Sequence, residues 1–127
     1  MNRDTSTFVD TSSPLISSDR VEGTKVFDGS GTSIGTIKRL MIEKVNGQVV
    51  YAVSAFGGFL GMGDKEYPIP WDQLMYDTRL GGYRTGLTEA QLREAPTASQ
   101  GDDWTSRDRE RELHDYYGAA YYWEDEE

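Results

Sequence analysis

Between Gln48 and Phe56 the chain reads Gln-Val-Val-Tyr-Ala-Val-Ser-Ala-Phe, a β-branched and aromatic run suited to a pleated strand. Side chains on a strand alternate between its two faces. Val50, Ala52, Ser54 and Phe56 therefore share one face, and Val49, Tyr51, Val53 and Ala55 share the other. Both faces are largely apolar. A strand in the wall of a small β-domain turns one face to the core and the other outward, so this outward face needs a cover. Three covers are open: the chain's own tail, a helix, or another subunit. Intramolecular cover is favoured, because exposed patches of this size are uncommon on monomers.

The surrounding sequence supplies partners for that strand. Thr24–Phe27 reads as a first strand, closed by the turn composition Asp28-Gly29-Ser30-Gly31. Ile34–Lys44 reads as a second. Its alternation is imperfect, which predicts a bulge or strong twist near Arg39. Asn46-Gly47 predicts a type I′ hairpin into the third strand, because that turn needs φ > 0 at both central positions. Lys65–Ile69 is the fourth strand, and Leu74–Tyr76 with Gly82–Thr85 forms a last short hairpin. Thr88–Leu92 is a short helix with Thr88 as N-cap. Six short strands with frequent turns predict a mainly β fold, a small barrel or sandwich.

The 127 residues suffice for one small domain. The chain carries a formal net charge of -9, unevenly spread. Residues 1–100 hold 10 basic and 12 acidic side chains (net -2), and residues 101–127 hold 3 and 10 (net -7). So acidic a chain is not held on a phosphate backbone by bulk charge, and no nucleic-acid partner is expected. There is no cysteine, which excludes disulfides, thiol catalysis and cysteine-ligated metals. No apolar run approaches the length of a membrane span, and the polar N-terminus lacks a signal-peptide core. Neither membrane insertion nor export is expected, and the expected location is cytoplasmic. Residues 1–14, rich in Ser, Thr and Asp, are expected to be disordered. The body runs over residues 15–96, and residues 97–127 form a linker and an acidic, aromatic tail.

The tail is the chain's most individual segment. Thr105 with Asp108 gives a weak capping-box signal. Asp108–Tyr117 then reads as a charged helix closed by Gly118. Tyr116, Tyr117, Tyr121, Tyr122 and Trp123 follow before a run of acids. Disordered tails are poor in aromatics, so this one is expected to dock on its own barrel, on a second copy, or on a different protein.

Three other features admit chemistry and are weighed against plainer readings. Residues 57–63 are glycine-rich, as phosphate-cradling loops are, but they lack a P-loop's Gly-Lys-Ser/Thr ending. The plainer reading is a flexible connector between the third and fourth strands; the alternative is that the apolar side chains Phe59, Leu60 and Met62 contact a partner or second copy. Tyr67-Pro68-Ile69-Pro70-Trp71 places two prolines where ladder donors would be, which predicts an edge strand or a strand end; Trp71 is read as a plug for the barrel end. His114, the sole histidine, shares a helical face with Glu110. Two ligands make a poor metal site, and the plainer reading is a solvated polar face. No nucleophile arrangement or pocket is legible, so neither catalytic residues nor cofactors are assigned.

The order and spacing of Leu15–Gly23, Val26-Phe27, Gly35-Thr36-Ile37, Met41–Lys44, Gly47-Gln48-Val49, Tyr51-Ala52-Val53, Phe56–Gly61 and Tyr67–Trp71 resemble the PRC-barrel family over about two-thirds of the chain. The resemblance implies a small PRC-type β-barrel of about six strands, with a short helix and, here, an added helical and aromatic tail. The family includes the cytoplasmic part of the photosynthetic reaction-centre H subunit and the second domain of a ribosome maturation factor. It implies docking on another protein rather than catalysis. The expected function is therefore a non-enzymatic interaction module that self-associates, most simply as a two-fold dimer. Its expected surface comprises Tyr51, Val53, Phe56, Phe59, Leu60, Met62, Tyr116, Tyr117, Tyr121, Tyr122 and Trp123. Accessory roles in electron transfer, photosynthetic assembly or ribosome maturation, and small-ligand binding, are the alternatives.

Overall fold

The structure, a computed structural model, describes residues 13–56, 65–98 and 104–123. One six-stranded sheet forms the body. Its strands are β1 (Lys25–Phe27), β2 (Ser33–Ile42), β3 (Val49–Ala55), β4 (Glu66–Pro70), β5 (Leu74–Asp77) and β6 (Gly82–Thr85). They lie in the order β4-β3-β2-β1-β6-β5 and curl into a half-barrel. All neighbours are antiparallel except β1 and β6. Three short helical pieces accompany the sheet: α1 (Ser18–Val21), a 3₁₀ turn at Trp71–Gln73, and α2 (Glu89–Arg93). Helix α3 (Arg107–Tyr117) belongs to the tail. The strands fall where the sequence predicts them, whereas α1 carries no pattern long enough to announce it.

The uneven alternation of β2 has the predicted cause. Ile37 pairs with Ser54, and Arg39 pairs with Val53. Lys38 is thus an extra residue opposite β3, a bulge that shifts which face the later residues of β2 present. A second extra residue, Ile34, arises where Val26 pairs with Gly35 and Phe27 with Ser33. The bulges turn Ile34, Ile37 and Leu40, spaced by three, all toward the core. Gly35 is needed at the crossing. A Cβ there would lie 2.4 Å from both the Ala55 carbonyl oxygen and the Phe56 ring.

The hairpin from β2 to β3 is present, but its turn differs from the type I′ expectation. Gly47 has φ 78°, and no residue other than glycine has positive φ among the described residues. The Gly47 N–H donates to the Glu43 carbonyl (2.9 Å), and the Glu43 N–H donates to the Gln48 carbonyl (2.8 Å). Four residues therefore turn the corner, with only Gly47 left-handed. Asn46 instead accepts from the Gln48 N–H through its side chain (2.9 Å), a local bond that compensates for the longer loop.

The concave side of the sheet holds the apolar core. Val26, Ile34, Ile37, Ala52, Phe56, Tyr67, Ile69 and Tyr83 meet there with Val21 of α1 and Leu92 of α2. Phe56 and Tyr67 contact edge to face at 5.6 Å. Helix α2 is held against this core by the predicted cap. Thr88 Oγ1 accepts from the Gln91 N–H (3.1 Å), and Gln91 Oε1 accepts from the Thr88 N–H (2.8 Å), a complete capping box. Strand β4 is an edge, as its prolines require. Trp71 packs against the core and lies 5.3 Å from the Tyr83 ring, but it stays half-buried.

Candidate functional site

The convex face of β3 and β4 is where the tail settles. Val53 pairs with Pro68 and Tyr51 with Pro70, and the sides of these strands that face away from the core are apolar. Helix α3 covers them. Its N-cap is Ser106, one residue later than the expected Thr105, and Ser106 Oγ accepts from the Arg109 N–H. Its C-terminus is the predicted one. Gly118 adopts φ 67°, its N–H donates to the Asp115 carbonyl, and the Ala119 N–H donates to the His114 carbonyl. That pair of bonds is a Schellman motif, and it folds the chain back so that residues 119–123 return over the helix.

Helix and return together bury the second face of β3. Tyr51 and Val53 are 2% and 0% exposed, Leu113 2% and Trp123 3%. The sequence pattern requires a cover for this face, and the cover is the chain's own tail. The rings pack edge to face around Tyr51: Trp104 at 5.5 Å, His114 at 5.5 Å and Tyr122 at 6.3 Å. Trp123 stacks on Tyr121 at 4.7 Å, and the Arg107 guanidinium lies 4.2 Å over the Trp123 ring, a cation–π contact. Elsewhere along the helix, Tyr116 donates to the Gln91 carbonyl of α2. Tyr117 packs against the main core.

A polar cluster lies inside this apolar cover. Glu110 and His114 are 4% and 3% exposed. The expected solvated polar face is therefore corrected: the Glu110–His114 side of the helix points inward, because Tyr51 and Tyr122 supply hydroxyls to meet it. The Tyr51 hydroxyl lies 2.8 Å from Glu110 Oε2 and 2.8 Å from His114 Nε2. Tyr122 donates to Glu110 Oε2 at 2.7 Å. His114 Nδ1 meets the Ala120 carbonyl at 2.9 Å. The Arg107 Nε is 3.6 Å from Glu110 Oε1. Buried polar groups are tolerated only when so paired. Burial, and then the carboxylate of Glu110, push the Tyr51 and Tyr122 phenols far above their ordinary range. Both hydroxyls therefore stay protonated donors. Among the described residues, no group of three or more His, Asp or Glu is placed to hold a metal ion.

The expected interaction residues thus separate. Tyr51 and Val53 lie beneath the docked tail, whose own Trp123 is buried and whose Tyr122 is half-buried beside them. Phe56 faces the other way, into the core. Tyr121 and Tyr117 are half-buried, and Tyr116 is 40% exposed. Phe59, Leu60 and Met62 lie outside the described residues, as does the glycine-rich stretch. Sequence reasoning singled out Glu110 and His114 as a pair, but not their attachment to Tyr51. The signal was the unexplained tyrosine on the outward face of β3, a hydroxyl in an apolar row. Met75, on strand β5 at the end of the sheet order, is 74% exposed and was not singled out.

The PRC-barrel domain family matches residues 14–84. This match spans more than half of the chain and includes the whole sheet except the last residue of β6. The chain belongs to the PRC-barrel family. Among solved structures it is similar to a crystal structure assigned as the 16S ribosomal RNA processing protein RimM of Pseudomonas aeruginosa. The identity is 22% and the TM-score 0.41, over 65% of this chain and 50% of that one. The chain thus spans about half the length of that relative. No curated protein matches it. No helix among the described residues is long and apolar enough to cross a membrane.

Proposed function

We propose that the protein is a non-enzymatic interaction module whose acidic, aromatic tail occupies the docking face of its own barrel. The observation that carries this reading is the cover itself. A strand face covered by Trp104, an amphipathic helix and its returning aromatics is a groove of the kind that receives helical segments. Tyrosine and tryptophan are the usual anchors of such contacts. In this reading a partner presenting a like segment competes with the tail for Tyr51 and Val53.

Self-association is the second element of the proposal. With the tail in place, the accessible sheet edge is β5, because β4 carries Pro68 and Pro70, which cannot donate. Two copies meeting along β5, with Met75 at the contact, would form a closed two-fold pair.

The test uses a Leu113→Asp chain, in which the tail is expelled by a buried charge. A synthetic peptide of residues 104–123 should bind that chain and not the native one, where the face is filled. Absence of binding to the variant, with its sheet intact by circular dichroism, contradicts the docking reading. Light scattering tests the self-association. A native dimer that Met75→Lys converts to monomer supports it, and a native chain monomeric at every concentration overturns it.

A further inference from the structure

The hydrogens of the buried cluster do not balance if His114 is neutral and Glu110 ionised. The Ala120 carbonyl can only accept, so His114 Nδ1 carries a hydrogen and donates to it across 2.9 Å. A neutral ring then has a bare lone pair at Nε2. That lone pair and the Glu110 carboxylate both lie 2.8 Å from the Tyr51 hydroxyl, which has one hydrogen to give. Tyr122 does not relieve the conflict, because its own hydrogen is directed at Glu110. One more proton satisfies every contact. It sits on His114 Nε2, which then donates to Tyr51 while Tyr51 donates to Glu110. The Arg107 guanidinium lies on the far side of the carboxylate, 3.6 Å from Glu110 Oε1. A proton on Glu110 instead, with the hydrogen bonds reversed, gives the same count.

We propose that the tail is a proton-operated latch: docking of α3 on β3 takes up one proton into the Tyr51–Glu110–His114 cluster, and the latch loosens as pH rises. The charged and titratable groups around His114 are few. From β3 there is Tyr51. From α3 there are Glu110 and Arg107, with Asp115 bonded outward to Tyr121. From the return there are Tyr121 and Tyr122, and Glu43 of the β2–β3 corner acts on Tyr122. Apart from Arg107 these surroundings are acidic or phenolic, so among the described residues no other side chain named here supplies the missing hydrogen. The sign follows from linkage. Below about pH 6 an undocked, exposed imidazole already holds its proton, so docking takes up none through it. Above about pH 7 docking must take one up, and its equilibrium constant then falls by up to about tenfold per pH unit. The inference rests on the docked tail alone and stands whether or not the covered face receives a partner.

The test is amide hydrogen exchange of the native chain between pH 5.5 and 8.5, read as protection factors for residues 110–117. These should be level below about pH 6 and fall several-fold per unit above about pH 7, while amides of β1 and β6 hold their values. In His114→Gln, which has nothing to titrate there, the fall should vanish. If that variant fails to fold, Tyr51→Phe, which removes the contested hydroxyl, should flatten the profile instead. Helix protection that is level to pH 8.5 in the native chain overturns the proposal. So does a fall that persists unchanged in the folded variant.

Discussion

The two faces of β3 solve the same problem by different means. On the concave face Ala52 and Phe56 join a core contributed by six other elements, and dispersion and the hydrophobic effect suffice. On the convex face Tyr51 and Val53 are as deeply buried, but their cover is Trp104, a single helix and a five-residue return, with the polar pair Glu110–His114 inside. A core built from many strands tolerates no alternative. A cover built from one terminal segment is attached through a few contacts, and one of them is a hydrogen-bonded cluster whose fit depends on its protons. The lesson is that burial alone does not distinguish a fold's foundation from its detachable lid; the composition of the buried surface does.

That contrast can be broken at several points. The largest effect belongs to the concave side. Phe56→Ala removes a ring packed on Tyr67 and should cost about 3–5 kcal/mol, melting the whole sheet in one transition seen by circular dichroism. Leu113→Ala, equally buried but under the lid, should cost about 2–3 kcal/mol. Here the loss should appear first as lost exchange protection in α3 while β1 and β6 stay protected, the mark of sub-global opening. If α3 and the sheet open together, the tail is part of the foundation and the distinction fails.

Smaller effects sharpen the comparison. Tyr51→Phe leaves the ring but takes the hydroxyl from Glu110 and His114, and should cost about 1–3 kcal/mol by chemical denaturation. Tyr117→Phe is its counterpart. The Tyr117 hydroxyl is buried with no partner, and burial pushes that phenol well above its ordinary range. Deleting it should change stability by less than about 0.5 kcal/mol, or raise it slightly. A Tyr117→Phe loss as large as that of Tyr51→Phe would show that hydroxyl position, not pairing, governs these sites.

Much of this was legible from the residues, and the exceptions have physical causes. The strands, the bulge near Arg39, the edge role of Tyr67–Pro70, the Thr88 cap and the Gly118 stop all follow from local rules, and local structure obeys them. The turn at Asn46-Gly47 departs because Asn46 spends its side chain on the Gln48 N–H, so one left-handed residue suffices where two were expected. The inward turn of Glu110 and His114 was not legible from α3 alone. Its sequence places two polar groups on one face, and only the hydroxyls of Tyr51, 59 and 63 residues away, and of Tyr122 make that face a buried one. Short-range pattern fixes where a helix is and which residues share a side. It does not say what waits opposite.

The central claim is that the tail covers the convex face of its own sheet. The most direct measurement is nuclear Overhauser contacts between the Tyr51 ring and the rings of His114 and Trp104, recorded on an equal mixture of isotope-labelled and unlabelled chains. Ring contacts present within labelled chains and absent from the labelled-to-unlabelled spectrum are the predicted result. Contacts that appear between labelled and unlabelled chains, or in neither spectrum, would contradict it.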